Sequence, residues 1–173
     1  MRRGGYLSLG IKDVFDPKGR IDRLTYFMYG CILRMMQVVL MFAVAAFLSA
    51  ISGQIPEALK PYPVTARLIV CLPVFYGAFC IQAKRLHDIG LPAILAVIGL
   101  SDIVLTAGME IAPHVTTVPA ALATTAPMIA EDISWGVLAF HLLLLLVPGK
   151  RGANRYGKSA TGEELPRPRM LEG

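Results

Sequence analysis

Charged residues are scarce in this chain, since Asp, Glu, Lys and Arg together make up 17% of its 173 residues. Hydrophobic residues account for 55%, and the mean hydropathy is +0.58. A soluble domain normally carries about 25% charged residues, so the composition excludes an ordinary soluble fold and indicates a membrane protein. Carboxylates are scarcer than cations, which leaves a net charge of +5.

The chain also lacks the sequence features of a disulfide framework, a metal centre or an active site. Cys31, Cys71 and Cys80 stand singly inside apolar runs, without the paired spacing of disulfide or zinc motifs. The histidines are too far apart in the predicted topology to form a metal set. No nucleophile motif or phosphate-binding glycine loop is present. We therefore predict no catalytic residue, no metal and no cofactor, and favour a non-enzymatic protein.

Four apolar runs approach or exceed the roughly 20 residues that a helix needs to cross a bilayer. They predict an all-α polytopic membrane protein, a bundle of about four transmembrane helices. The spans are expected at about 24–50, 64–83, 91–112 and 128–148, within a membrane domain at 24–157. An N-terminal segment at 1–23, with an amphipathic stretch before the first span, and a tail at 158–173 are expected to be cytoplasmic, and no cleavable signal peptide is expected.

The connection from 108 to 132 contains three prolines, Pro113, Pro119 and Pro127. Each proline removes a backbone donor and disfavours helix at the residue before it. We therefore expect short helical or re-entrant pieces in this connection rather than one continuous long helix.

The cations predict the orientation of the spans. They precede the first span, separate the second from the third and follow the fourth, whereas the two other connections contain only one cation, Lys60. Because Lys and Arg near span ends are retained in the cytoplasm, we expect a multi-pass protein of the bacterial inner membrane with both termini cytoplasmic. The net positive charge is then explained by the concentration of cations on one face of the membrane. Nucleic-acid binding is not expected, because the chain has no room for a soluble basic domain.

Three basic segments occur in a characteristic order. They are FDPKGRIDRLTYF at Phe15–Phe27, KRLHDIG at Lys84–Gly90 and PGKRGANRYG at Pro148–Gly157. Together they resemble a bacterial inner-membrane family, domain of unknown function 805, with F-x-x-x-G-R-x-x-R-x-x-Y-W at the start, R-R-L-H-D-x-G in the middle and G-x-N-R-Y/F-G at the end. Here Lys84 replaces the first Arg of the middle motif and Phe27 replaces the Trp. The resemblance implies a small multi-span membrane protein and supplies no reaction, substrate or catalytic residue.

The middle segment supports two main interpretations. If the second helix continues through it, Lys84 and Arg85 lie four and three residues before Asp88, so either cation can pair with that carboxylate. Gly90 and Pro92 would then end this helix and start the next. On this interpretation the segment is an ion-paired turn that fixes how two helices enter the membrane.

The alternative is a binding surface for anionic lipid headgroups or another anionic ligand, because Arg offers paired donors to phosphate oxygens. Its candidate residues are Arg20, Arg23, Lys84, Arg85, His87, Asp88, Asn154 and Arg155. A membrane protein partner or a second copy of the chain is a further candidate partner. A catalytic His87–Asp88 dyad is disfavoured because adjacent helical residues point in different directions.

Two charged residues lie inside predicted spans, where an isolated charge is costly. At a rise of about 1.5 Å per residue, Arg34 and Asp102 lie at similar depths in spans that run in the same direction. We therefore predict an intramembrane Arg34–Asp102 pair, with Gln37 and His141 as neighbours. Alternatively, Arg34 extends to the headgroups and Asp102 is neutral or hydrogen-bonded to another helix. The pair also suggests a second function, a small transporter or channel component.

Overall fold

The computed structural model describes residues 10–55, 63–115, 117 and 120–159. Over these ranges the chain is all-α, with no β-strand. The α-helices are α1 (Ile11–Val14), α2 (Arg23–Ala50), α3 (Pro63–Val70), α4 (Leu72–Ile89), α5 (Ser101–Val115) and α6 (Ala120–Leu146), joined by 3₁₀ helices at Ser52–Gln54 and Ala93–Leu100. The tail from residue 160 onward and Lys60 lie outside the described residues.

The first span is α2, a helix of 28 residues. The carboxylate of Asp22 accepts a hydrogen bond from the backbone N–H of Thr25 at 2.7 Å and so caps the helix N-terminus. At about 1.5 Å per residue this helix is long enough to cross the hydrocarbon core. The first basic segment therefore ends inside the first turns of a membrane helix.

The second span is broken at Cys71, where α3 and α4 meet at an angle of 57°. Pro73 lies in the first turn of α4, a position whose N–H needs no partner within the helix. Pro73 therefore begins a helix instead of interrupting one. At its other end, α4 continues through the middle basic segment to Ile89 and stops at Gly90, whose φ of 93° lies in the left-handed region that favours glycine.

The third span, Ala93–Pro113, combines two helix types. Pro92 precedes a 3₁₀ helix that packs along α4 from Ala93 to Leu100, and α5 follows without a break. Near the other end of α5, Glu110 caps α3 because its carboxylate accepts hydrogen bonds from the N–H of Val64 at 2.8 Å and from Thr65. This contact ties the third span to the bent part of the second.

The expectation for the connection from 108 to 132 is correct in one part and wrong in another. No single helix runs through the described part, since α5 ends at Val115 and α6 begins at Ala120. The two parts are not short pieces, however, because α6 runs for 27 residues with Pro127 inside it and Pro113 lies inside α5. A proline removes one backbone donor, whereas ending a helix in an apolar environment would leave several backbone groups unpaired. Pro119 lies outside the described residues.

Three helical segments are long and apolar enough to cross a membrane, and the bent α3–α4 pair makes a fourth when its two helices are counted as one broken span. The protein is therefore a multi-pass, all-α membrane bundle. Its core is formed mainly where α2, α4, the 3₁₀ helix and α6 meet, around buried residues that include Leu33, Ile81, Ala96 and Leu144. Large apolar side chains such as Phe42 and Leu143 are exposed on the outer surface of the bundle, as expected of surfaces that face lipid.

Candidate functional site

The most unusual region of the molecule is the C-terminal end of α4, where every residue from 81 to 88 is buried. Lys84, Arg85, His87 and Asp88 belong to this stretch and are between 0% and 8% exposed. Lys, Arg and Asp are almost never fully buried unless they are paired. The partners of these side chains therefore determine what the region can do.

Asp88 is held between two arginines. Arg85 donates from Nη1 to Asp88 Oδ2 at 2.5 Å, and Arg20 donates to Oδ1 from Nη2 at 2.9 Å and from Nε at 3.1 Å. The side chains of Arg20 and Arg85 are 1% and 0% exposed. We call Arg20, Arg85 and Asp88 the clamp; it joins the segment before α2 to the end of α4.

The remaining donors of Arg85 bind the end of α6. Its Nε donates to the carbonyl oxygen of Leu144 at 2.7 Å, and its Nη2 donates to that of Val147. The last carbonyls of a helix have no partner within the helix, and a positive charge there interacts favourably with the helix dipole. Arg85 thus caps α6 while it pairs with Asp88.

Arg20 holds the segment after α6 in the same way. Its Nη1 donates to the carbonyl oxygen of Gly152 at 2.7 Å, and its Nη2 donates to that of Lys150. The N–H of Lys150 in turn donates to the carbonyl of Asp88 at 2.8 Å. Gly149 lies so close to Asp88 that a Cβ at this position would be 1.8 Å from Oδ2. The third basic segment is therefore fitted directly against the clamp.

His87 contacts the first and third segments but not Asp88. Its Nδ1 is 3.2 Å from the carbonyl oxygen of Gly19, and its ring stacks on Tyr156 with centroids 3.9 Å apart. Asn154 donates from Nδ2 to the carbonyl of His87 at 2.9 Å. A His87–Asp88 dyad is thus not formed, and the imidazole packs between chain segments.

The residues predicted to bind anionic lipid divide into two groups in the structure. Arg20, Arg85 and Asp88 form the clamp, and Lys84 donates to the carbonyl of Asp13 instead of pairing with Asp88. Arg23 and Arg155 are exposed, and the guanidinium of Arg155 lies over the Tyr156 ring. The sequence alone did not distinguish buried from exposed cations, since all lie in basic segments beside apolar spans.

The structure brings together only some of the polar residues that were predicted to meet inside the membrane. Arg34, Gln37 and His141 line the same cavity, and Arg34 Nη1 donates to Gln37 Oε1 at 2.9 Å. Asp102 Oδ1 accepts instead from the N–H of Ile103 at 2.9 Å, and within the described ranges no ion pair joins it to Arg34. The structure adds a contact between Tyr26 Oη and His141 Nδ1 at 2.8 Å, which sequence spacing could not reveal because 115 residues separate the two.

A family model described as protein of unknown function, DUF805, matches residues 14–158. The chain belongs to this family. The matched range contains all three basic segments and every residue of the clamp. No curated protein and no solved structure matches the chain significantly. In the described part of the chain, no three His, Cys, Asp or Glu residues are grouped as a metal site requires.

Proposed function

We propose that this protein is a non-enzymatic, multi-pass protein of the bacterial inner membrane that binds anionic lipid headgroups at its cytoplasmic end. The observation that supports the proposal is the division of the cations at the clamp. One group is buried and holds the bundle together, while a second group lies exposed around it.

The exposed group is here called the basic rim. It consists of Lys18, Arg23, Lys150, Arg151 and Arg155. Lys18 lies just before α2, Arg23 is the first residue of α2, and the other three follow α6. All five are at the end of the bundle where the clamp joins the chain segments. Within the described residues, none of them forms an ion pair, so their charges are available to a partner.

The rim lies where lipid headgroups are expected. It flanks the ends of membrane-spanning helices, and each Lys or Arg near an anionic membrane surface contributes about 1 kcal/mol of attraction. Three of the five rim residues are arginines, whose planar guanidinium can donate two hydrogen bonds to one phosphate. The clamp supports this role because it holds both rim segments at the same end of the bundle.

The proposal is tested by the lipid that the detergent-solubilised protein retains. All five rim residues are changed to Gln, and native mass spectrometry compares bound phosphatidylglycerol with bound phosphatidylethanolamine after reconstitution from an equal mixture. We expect the wild type to prefer phosphatidylglycerol and the rim variant to lose most of that preference, since five attractions of about 1 kcal/mol are removed.

The matched control is Arg67→Gln, which removes a half-buried cation from α3, outside the clamp and the rim. This control should keep the wild-type preference for phosphatidylglycerol. An unchanged preference in the rim variant, or an equal loss in Arg67→Gln, would refute lipid binding by the rim.

A further inference from the structure

A cavity of about 340 Å³ lies in the centre of the bundle, between α2, α4, the third span and α6. Aromatic rings form part of its wall, at Tyr26, Phe27 and Phe75, and the small residue Gly99 contributes another part. The volume falls at the lower end of the range of about 300–1,000 Å³ found for ligand pockets. The space is therefore large enough for a small ring-sized group.

Two residues that line this cavity each have a buried polar atom that lacks a hydrogen-bond partner among the described residues. The two atoms are Oε1 of Gln82 and Nε2 of His141. Gln82 is only 3% exposed, so bulk solvent does not satisfy it. A buried polar atom without a partner costs about 1–3 kcal/mol, and native proteins contain few of them. Both residues line the same cavity, which indicates that a bound group completes their hydrogen bonds.

The cavity also reaches the outer surface of the bundle. Phe27 and Cys31 of α2, and Leu138 and Leu142 of α6, line it and are exposed as well. These helices span the membrane, so their exposed faces meet lipid. A ligand would therefore enter from the bilayer, and an alkyl chain attached to it could remain in the lipid.

We propose that this cavity binds the ring of a lipid-soluble phenol or quinol, whose hydroxyl contacts Gln82 Oε1 and His141 Nε2. A hydroxyl has one proton to donate and lone pairs that accept, so it donates to Gln82 Oε1 and accepts from Nε2–H of His141. In that tautomer Nδ1 of His141 accepts from Tyr26 Oη. The aromatic wall suits a planar ring. A fatty carboxylate fits less well, because in its ionised form it cannot donate to Gln82 Oε1.

The chain contains its own reporter for occupancy of the cavity. Cys31 lines the cavity and is exposed, whereas Cys71 and Cys80 are both 0% exposed. The rate at which N-ethylmaleimide alkylates Cys31 in detergent should therefore fall when the cavity is filled. The Cys31→Ser variant identifies any labelling that comes from the two buried cysteines.

The experiment compares 4-nonylphenol with nonylbenzene, which has the same ring and chain but no hydroxyl. For the wild type we expect 4-nonylphenol to protect Cys31 at about tenfold lower concentration, the difference made by about 1.4 kcal/mol of hydrogen bonding. Gln82→Leu should abolish this difference. The matched control is Gln37→Leu, because Gln37 lines the cavity but its Oε1 already accepts from Arg34, and this variant should retain the difference.

The comparison of ligands on the wild-type chain needs no mutation, so a folding defect in Gln82→Leu does not weaken the test. Equal protection by 4-nonylphenol and nonylbenzene would overturn the proposal and show a nonselective apolar space. Stronger protection by decanoate than by 4-nonylphenol would also overturn it, and would indicate an anion site at Arg34. An absence of protection by 4-nonylphenol up to its solubility limit would equally refute it.

Discussion

Asp88 is the residue through which the three basic segments are joined, since its carboxylate pairs with Arg20 and Arg85 while its backbone carbonyl accepts from Lys150. Two guanidinium groups and one carboxylate leave a buried net positive charge. The carbonyl oxygens at the end of α6 and beyond it partly offset that charge, because they accept the remaining donors of both arginines. Removing the charge of one member of such a buried group leaves an uncompensated buried charge on the others.

We predict that Asp88→Asn destabilises the protein strongly, because both buried guanidinium groups lose their counter-charge. The expected loss is about 3 kcal/mol, which corresponds to a fall of about 6–12 °C in the midpoint of thermal unfolding for a chain of this size. Circular dichroism of the protein in detergent measures this midpoint.

The matched control is Asp102→Asn, because among the described residues the Asp102 carboxylate accepts a hydrogen bond only from the neighbouring backbone N–H of Ile103. Its midpoint should stay within a few degrees of the wild type, since its side chain has no ion-pair partner among the described residues. Equal effects of the two substitutions would show that Asp88 has no special part in holding the bundle.

At the scale of the element, close packing between α4 and the 3₁₀ helix depends on a glycine. A Cβ at Gly99 would lie 2.0 Å from Oε1 and 2.8 Å from Cδ of Gln82. Gln82 is buried, so its side chain cannot simply move into solvent. An eight-residue 3₁₀ helix is long for its type, and its fit against α4 helps to explain why it persists.

We predict that Gly99→Ala destabilises the protein by about 1–3 kcal/mol, the usual cost of forcing extra volume into a packed interior. Combining it with Gln82→Ala should restore part of the loss, because the second change removes the atoms that the new methyl group meets. Thermal unfolding of the two single variants and the double variant gives the coupling between the residues.

Gly136→Ala provides the control for this prediction, since a Cβ at Gly136 in α6 would meet no heavy atom within 4 Å apart from its chain neighbours and the nearby backbone of its own helix. This change should be neutral or slightly stabilising, because alanine favours a helix more than glycine does. A loss in Gly99→Ala that Gln82→Ala does not reduce would argue against the steric explanation.

At the scale of the whole molecule, the clamp places the segment before α2 and the segment after α6 at one end of the bundle. The connection that begins with the 3₁₀ helix Ser52–Gln54 follows α2 and therefore lies at the opposite end. The cations are concentrated at the clamp end, which is the pattern of cytoplasmic segments. Orientation in the membrane can therefore be tested separately from lipid binding.

We predict that alkaline phosphatase is active when fused after Gly53 and inactive when fused after Ser159 in a bacterial host, since the enzyme works only outside the cytoplasm. Colony colour and phosphatase assays with matched expression levels measure the result. The reverse pattern would invert the proposed orientation, and two active fusions would contradict an even number of spans.

The amino-acid sequence by itself determined that this is a helical membrane protein, where α4 ends, and which residues form a local ion pair. Apolar length sets the number of helices that can cross a bilayer, and Gly90 ends α4 because glycine tolerates the left-handed conformation there. The spacing of Arg85 and Asp88 predicted a local pair, which the structure contains. Each of these features depends on residues that are close together in the sequence, so composition and spacing are sufficient to predict it.

The tertiary structure decided which cations are buried and what they hold. Arg20 reaches Asp88 across 68 residues and Gly152 across 132, distances along the chain over which spacing carries no information. The same holds for Gln82, whose Oε1 has no hydrogen bond among the described residues and packs closely against Gly99 of another span. Whether a polar side chain becomes part of the clamp, the exposed rim or the cavity wall is fixed by helix packing, since packing sets its access to water.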